Sequence, residues 1–221
     1  MVNNLIILVG VVLLCLLLYF EKREGRKGLL IAKSTLSLLF VLTALLQPHP
    51  IPIYFTFILV GLILCLAGDI FLALPQEKMF LFGLISFLFG HIFYIIAFFT
   101  MGHISAWTLV ASLGALFVSG SIFLWLKPHL GSMQIPVIFY IIVISVMIVG
   151  AWSLIDDLRY NWTGRVMVFV GALSFYFSDV FVARDRFMKN EFLNRLIGLP
   201  MYYFGQFVLA FSVGALRIDG V

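Results

Sequence analysis

The sequence predicts an all-α, polytopic membrane protein with eight transmembrane helices, and three observations favour this fold class. The 221 residues are 63% hydrophobic and only 11% charged, whereas a typical soluble domain has about 25% charged residues. Apolar runs recur along the whole chain, and each is long enough to cross the hydrocarbon core, which takes about 17–25 helical residues. The connections between the runs are too short for a soluble domain, so residues 1–221 are predicted to form a single integral membrane domain.

The eight spans follow from the places where the apolar runs are interrupted. The first run ends at the basic stretch EKREGRKG, and it is followed by breaks at QPHPIP and PQEK, whose prolines end helices. The remaining runs are separated by MGHIS, KPHLGS, DDLRYNWTG and RDRFMKNEFLNR. No basic region precedes the first run, which is therefore predicted to be a retained helix and not a cleaved signal peptide. The predicted spans are residues 3–20, 29–47, 52–74, 79–100, 105–126, 133–152, 164–183 and 196–217.

The basic residues orient the predicted bundle, because cytosolic loops of membrane proteins are enriched in Lys and Arg. With the N-terminus placed outside, the cytosolic side receives ten of them: Lys22, Arg23, Arg26, Lys27, Lys78, Lys127, Arg184, Arg186, Lys189 and Arg195. The other side receives three: Arg159, Arg165 and Arg217. Both termini are therefore predicted to be non-cytosolic. The compact loops favour a bacterial inner membrane, or the endoplasmic reticulum membrane in a eukaryote. The net charge of +4 is explained by the basic residues of the cytosolic loops, so no nucleic-acid partner is expected.

Two acidic residues lie inside apolar spans, within matching phrases of the sequence. Asp69 stands in AGDIFLA and Asp179 in FSDVFVA, each followed by an apolar residue, Phe, a second apolar residue and Ala. The third and seventh spans run in the same direction, and the helical rise places both acids about 7 Å inside the cytosolic boundary. Equal direction and equal depth predict a four-plus-four parallel repeat, with a pseudo-two-fold axis along the membrane normal.

Ionisable residues inside a membrane span are costly and are functional candidates by default. The spans contain Lys33 and His91 besides the two acids. Residues three or four apart share a helix face, which groups Lys33 with Ser37, His91 with Tyr94, Tyr176 with Asp179, and Tyr202 with Gln206. Ser178 and Tyr203 stand directly beside members of these groups. The sequence therefore predicts one polar cluster inside the bundle, in its cytosolic half.

Each of these residues also has a structural interpretation, which the sequence leaves open. Lys33 can extend to lipid phosphates, His91 can be a hydrogen-bonded interior residue, and the tyrosines can belong to an interfacial belt. The acids can form ion pairs with Lys33 or a nearby Arg. Arg184 and Arg186 are either positive-inside anchors or a clamp for a lipid phosphate.

The residue types favour acid–base chemistry over several other kinds of site. The chain has no G-x-S-x-G elbow, Walker-type loop or H-E-x-x-H motif, and no ligand spacing supports a metal at His91 and the two acids. Two carboxylates in a poorly solvated cavity suit general acid–base catalysis, with one protonated and the other ionised beside a cation such as Lys33. The same pair suits the proton relay of a transporter, and a non-catalytic lipid-binding protein is a third interpretation.

Four blocks of sequence, in order, resemble the signature blocks of the YhhN-like lysoplasmalogenase family. They are AGDIFLAL, FGHIFYIIAF, FYFSDVFVARDRF and LPMYYFGQFVLAFS, and the AKS that contains Lys33 is similar to an early Lys position of the family. The similarity runs from about residue 29 to residue 216.

The resemblance implies hydrolysis of the vinyl ether bond of lysoplasmalogens that carry choline or ethanolamine headgroups. The products are a fatty aldehyde and a glycerophospho-alcohol, and no organic cofactor or metal is required. For this activity we expect Asp69 and Asp179 to be catalytic, without assigning which is the acid. Supporting or substrate-binding roles are expected for Lys33, His91, Tyr94, Tyr202, Tyr203, Gln206, Ser178 and Arg184. The expected partners are a lysophospholipid substrate and membrane lipids, and a homo-oligomer is compatible with the sequence.

Overall fold

The computed structural model describes residues 2–219, in which eight long α-helices follow one another along the chain. All eight are long and apolar enough to cross a membrane, so the predicted all-α fold with eight spans is confirmed. Residues 2–219 contain no β-strand, only an isolated bridge between Tyr160 and Ile218. The helices are α1 (Val2–Lys22), α2 (Arg26–Leu46), α3 (Pro52–Ala73), α4 (Glu77–Met101), α5 (Ala106–Leu126), α6 (Gln134–Ile155), α7 (Trp162–Phe187) and α8 (Phe192–Ala215).

Some helices extend further than the hydropathy of the sequence predicts. α7 ends at Phe187 instead of residue 183, and α8 begins at Phe192 instead of residue 196. The additional turns contain Arg184, Arg186 and Arg195. Arginine is a good helix former, so a helix continues through it even though its charge ends the apolar run.

The bundle is built around two closely packed helix pairs, α3 with α4 and α7 with α8. α2 packs against α1, α3 and α8, whereas α6 packs against α4, α5 and α7. The centre is apolar, and Leu36, Phe40, Leu62 and Leu209 are fully buried there. α5 lies at the periphery and exposes most of its large apolar side chains, as expected for a surface that faces lipid.

Glycines allow the two helix pairs to approach closely, and they do so at corresponding positions. A Cβ atom on Gly61 of α3 would lie 3.1 Å from the carbonyl oxygen of Gly90 of α4. A Cβ atom on Gly205 of α8 would lie only 2.8 Å from the carbonyl oxygen of Gly171 of α7. Small residues permit such close crossings in membrane bundles. Gly61 precedes Asp69 by eight residues, as Gly171 precedes Asp179. The parallel repeat stays a prediction, and this correspondence is a further reason for it.

We call the end of the bundle that carries the connections 23–25, 74–76, 127–133 and 188–191 the basic end. The positive-inside rule predicts that this end is cytosolic. At the opposite end, Arg159 donates hydrogen bonds to both carboxylate oxygens of Asp157, from Nε at 2.9 Å and from Nη2 at 2.6 Å. Nη2 also donates to the carbonyl oxygen of Met101 at 3.0 Å. This cluster ties the connection after α6 to the end of α4, and the hydrogen bonds from Arg159 lower the pKa of Asp157.

The glycine crossing gives a stability prediction with a matched control. Gly205→Ala places a methyl group against the backbone of Gly171, and we expect it to destabilise the fold by about 1–3 kcal/mol because such overpacking forces the helices apart. Gly114→Ala on α5 meets no atom within 4 Å, so we expect no loss there. Unfolding in mixed micelles titrated with SDS, followed by circular dichroism, measures both. Equal effects of the two substitutions would contradict the close crossing.

The Asp157 cluster predicts a pH-dependent contribution to stability. Because the pKa of Asp157 in the folded protein lies below the unfolded value of about 3.9, its contribution is fully present above about pH 5 and is lost as the pH falls from there through the lower pKa of the folded state. Asp157→Asn should therefore lower stability at pH 7, by at most about 1 kcal/mol because Arg159 is exposed, and should have a smaller effect at about pH 3. Thermal unfolding in detergent at both pH values tests this, with the exposed neighbour Asp156→Asn as control.

Candidate active site

A cavity of about 830 Å³ opens at the basic end and extends into the bundle. Both membrane-embedded acids, Asp69 and Asp179, line it. The connections between α1 and α2 and between α7 and α8 frame its mouth, and apolar side chains of α5 and α6 line one wall: Ile122, Leu126, Val137, Ile141 and Ile144. The volume falls within the range of about 300–1,000 Å³ that is typical of small-molecule sites.

Asp69 on α3 is fully paired at one edge of this cavity. The Nζ atom of Lys33 lies 3.3 Å from its Oδ1. Ser37 and Tyr202 each donate a hydrogen bond of 2.6 Å to its Oδ2. Lys33 and Ser37 come from one face of α2 because they are one turn apart, and Tyr202 comes from α8. The side chain of Asp69 is only 2% exposed, so these three donors replace the water that a carboxylate otherwise needs.

Tyr203 supports this cluster from behind. Its hydroxyl lies 3.1 Å from the Ser37 hydroxyl and donates to the carbonyl oxygen of Lys33 at 3.4 Å. The cluster therefore joins α2, α3 and α8 through hydrogen bonds in addition to apolar packing.

Asp179 on α7 has much sparser surroundings. Tyr140 of α6 donates a hydrogen bond of 2.6 Å to its Oδ2, and no described residue donates one to its Oδ1. No Lys or Arg nitrogen in residues 2–219 lies within 4 Å of it, and its side chain is 18% exposed, towards the cavity. Asp179 is thus a carboxyl group with one neutral donor and one free oxygen, whereas Asp69 is saturated.

His91 on α4 lies beside Asp179 and is completely buried. Its Nε2 atom is 3.9 Å from Asp179 Oδ2, and neither ring nitrogen has a hydrogen-bond partner within the described part of the chain. The ring packs against Phe175, at 4.5 Å between ring centroids, and against the edge of Tyr140, at 5.3 Å. Phe175 also contacts Tyr202, at 5.1 Å between centroids, so an aromatic ring lies between the Asp179 cluster and the Asp69 cluster.

A family model for the YhhN family matches residues 28–213. The chain belongs to the YhhN family. The resemblance that the sequence blocks indicate is therefore confirmed, and the matched region covers α2 to α7 and most of α8.

Several similar proteins are lysoplasmalogenases by name. A lysoplasmalogenase of Mycobacterium bovis is 32% identical over 173 residues, which are 76% of this chain and 62% of the relative. Lysoplasmalogenase TMEM86A of Homo sapiens is 30% identical over 163 residues, which are 71% of this chain and 65% of the relative. Lysoplasmalogenase TMEM86B of Rattus norvegicus is 30% identical over 169 residues, 76% and 65% of the two chains. This YhhN family chain thus spans a little under two thirds of the length of these relatives. No solved structure is significantly similar to it.

Other residues expected at the site lie away from the two acids. Tyr94 donates a hydrogen bond of 2.8 Å to Gln206 Oε1, and both are fully buried outside the cavity lining. Ser178 donates to the carbonyl oxygen of Phe175 on its own helix at 2.7 Å. The sequence assigns these residues to the correct helices, but it does not predict their directions: Tyr94 and Gln206 turn to each other across two helices, and Ser178 turns to the backbone of its own helix.

The arginines after Asp179 divide between two roles. Arg184 donates to Asn194 Oδ1 at 2.5 Å and to Glu191 Oε2 at 3.3 Å, and so ties the end of α7 to the start of α8. It does not line the cavity, but Arg186 does, with its guanidinium 4.4 Å from the centroid of the Phe80 ring. Charges of both signs surround the mouth: Glu21, Glu24, Arg26, Asp185, Arg186 and Arg195.

Sequence reasoning missed Tyr140, the hydrogen-bond donor to Asp179, and Ser119, the partner of Tyr176, although it grouped Tyr176 with Asp179. The hydroxyls of Ser119 and Tyr176 lie 2.6 Å apart on the cavity wall. Tyr140 stands in the apolar run VIFYIIVIS. A buried tyrosine usually has a hydrogen-bond partner, but the run itself does not show that this one is buried.

The Asp69 cluster predicts strong coupling between two substitutions. Lys33→Met leaves Asp69 buried without its cation, and we expect it to destabilise the fold by about 3–5 kcal/mol. The double variant Lys33→Met/Asp69→Asn removes both charges and should be more stable than Lys33→Met alone. The exposed Lys27→Met on the same helix serves as control. Unfolding free energies in mixed micelles give the coupling, and additive effects would show that the two charges do not interact.

Proposed function

We propose that this YhhN family protein is a lysoplasmalogenase, which hydrolyses the vinyl ether bond of membrane lysoplasmalogens. The proposal rests chiefly on one observation: two carboxyl groups with opposite surroundings line a single cavity that also has an apolar wall. The relatives named lysoplasmalogenase support the same reaction. A proton-coupled transporter is the less favoured alternative, because the polar cavity in residues 2–219 opens at the basic end and both acids lie towards that end.

The surroundings of the two acids assign their roles in this proposal. Asp179 has a single neutral donor and no Lys or Arg partner among the described residues, and its burial in apolar surroundings favours the protonated form. Since Tyr140 donates to Oδ2, the acid proton resides on Oδ1, the oxygen without a donor. Asp179 is therefore the general acid. Asp69 receives three donors, one of them the ammonium of Lys33, and these favour its ionised form.

The reaction begins when Asp179 transfers its proton to the β-carbon of the vinyl ether. The π electrons of the double bond form the new C–H bond, and the α-carbon becomes an oxocarbenium ion. The negative charge of Asp69 stabilises this cation across the cavity, in a setting where water screens little. The two carboxyl groups and water are sufficient for every step of this reaction.

Water then completes the hydrolysis. Its oxygen adds to the α-carbon, and one of its protons passes to the Asp179 carboxylate, which restores the acid. The resulting hemiacetal collapses when its C–O bond to the glycerol breaks. The hemiacetal hydroxyl loses a proton, the glycerol oxygen gains one, and a fatty aldehyde and a glycerophospho-alcohol are released.

The shape of the cavity orients the substrate in this proposal. The aliphatic tail lies along the wall formed by α5 and α6, between Leu126 and Ile144. The phosphate lies at the mouth near Arg26 and Arg186, because guanidinium groups bind phosphate well. Glu21 is positioned at the same mouth to face the ammonium group of an ethanolamine or choline headgroup. The compact connections support a bacterial inner membrane, or the endoplasmic reticulum in a eukaryotic host.

Release of aldehyde by the purified protein tests the function and the site together. In detergent with lysoplasmenylethanolamine and a coupled dehydrogenase, the wild type should release aldehyde, and Asp179→Asn should lower kcat by about 10²–10⁴-fold because it cannot donate a proton. Asp156→Asn at the opposite end should leave kcat unchanged. In D₂O the product should carry one deuterium on the carbon next to the aldehyde.

Two results would overturn different parts of the proposal. A wild-type protein that releases no aldehyde would rule out the function. Full activity in both Asp69→Asn and Asp179→Asn would rule out the proposed site while leaving the function in place.

A further inference from the structure

His91 is the most anomalous polar group that the proposed reaction leaves without a role. Its side chain is 0% exposed, and neither ring nitrogen has a partner with normal hydrogen-bond geometry among the described residues, although the backbone of Phe87, one turn earlier on α4, makes a weaker polar contact with the ring. A buried polar group without a good partner is destabilising, and native structures contain only a few such groups. An apolar ring of similar size would fill the space without this cost, so the packing of Phe175 and Tyr140 around it does not explain an imidazole.

The position of His91 points to Asp179 as the partner. Its Nε2 atom is 3.9 Å from Asp179 Oδ2, the oxygen that also accepts the hydrogen bond from Tyr140. This separation is too long for a hydrogen bond, and a movement of about 1 Å would bring it within the range of about 2.7–3.2 Å. Both donors therefore converge on Oδ2 and leave Oδ1 directed towards the cavity.

We infer that His91 is a positioning residue that acts through Asp179 and contacts no substrate. When Asp179 gives its proton from Oδ1 to the substrate, the electron pair of the O–H bond stays on the carboxylate. The new negative charge draws the Nε2–H of the neutral imidazole onto Oδ2, beside the Tyr140 hydroxyl. Hydrogen bonds to a charged group are stronger than those to a neutral one, so His91 stabilises the carboxylate that forms more than the acid that precedes it.

His91 stays neutral throughout this cycle, and no additional reactant is needed. The proton that water loses returns to Asp179 Oδ1, and the Nε2–H bond weakens again. Such an interaction lowers the barrier because it is stronger in the transition state than in the ground state. This inference rests on the proposed hydrolysis, since it assigns a role within that reaction.

Substitutions at His91 separate this role from simple packing. His91→Phe keeps the ring volume and removes the donor, and we expect kcat to fall about tenfold to a hundredfold with KM unchanged. His91→Gln keeps an N–H donor and should recover part of the loss. Tyr54→Phe on α3 removes another buried hydroxyl, which bonds Ser212 outside the cavity lining, and should leave kcat unchanged. Added imidazole should raise the activity of His91→Gly and should not affect Tyr54→Phe.

Infrared spectroscopy gives a readout that does not require turnover. The carboxylate band that forms at alkaline pH and is absent in Asp179→Asn should shift in His91→Phe, which lacks the donor, and stay in place in Tyr54→Phe. Wild-type kcat in His91→Phe, or an unshifted band, would overturn the inference while the hydrolase function stands. Absence of aldehyde release by the wild type would overturn the function itself. If His91→Phe does not fold, the His91→Gln and imidazole-rescue measurements decide the question.

Discussion

An ionised carboxylate inside a bilayer has to be paired, and the cluster around Asp69 meets this requirement. A charge at the centre of a membrane helix costs about 2.5–3.5 kcal/mol even on insertion scales, so Asp69 is compatible with the fold only where donors surround it. Lys33 and Ser37 on α2 and Tyr202 on α8 supply them. The positions of α2 and α8 against α3 are thereby fixed by polar contacts, and the cavity lies beside this fixed group of helices.

The two acids are of the same residue type, and their surroundings differ because their hydrogen-bond and ionic partners differ. Asp69 and Asp179 occupy matching phrases, and a glycine crossing lies eight residues before each. Their surroundings nevertheless differ, because α2 brings a Lys to one acid whereas α6 brings a Tyr to the other. One carboxyl group is saturated with donors and the other keeps an oxygen free. Matching positions with unlike partners thus give two unlike carboxyl groups, as the proposed acid–base reaction requires.

The sequence predicts those features that depend on hydropathy and on the cost of buried charge. Eight apolar runs fix the number of helices, and the polar residues of α2, α3 and α7 identify the cavity. It does not predict where Tyr94 and Gln206 point, because each turns to the other across the α4–α8 contact instead of towards the acids. The sequence does not identify Tyr140, because a single tyrosine in an apolar span can either pack against apolar side chains or donate a hydrogen bond to a buried acceptor. Side-chain direction depends on neighbouring helices, which periodicity along one helix does not specify.

The order of the partners along the chain has a consequence for how the protein enters the membrane. Asp69 meets Lys33 and Ser37 on the helix directly before its own, and Asp179 meets Tyr140 on the helix directly before its own. The α2–α3 and α6–α7 segments are helical hairpins with short connections, 47–51 and 156–161. Each hairpin therefore carries its acid together with at least one donor, and Tyr202 of α8 is added to Asp69 from a later helix. Insertion of the chain as hairpins would bring each acid into the membrane with a partner beside it.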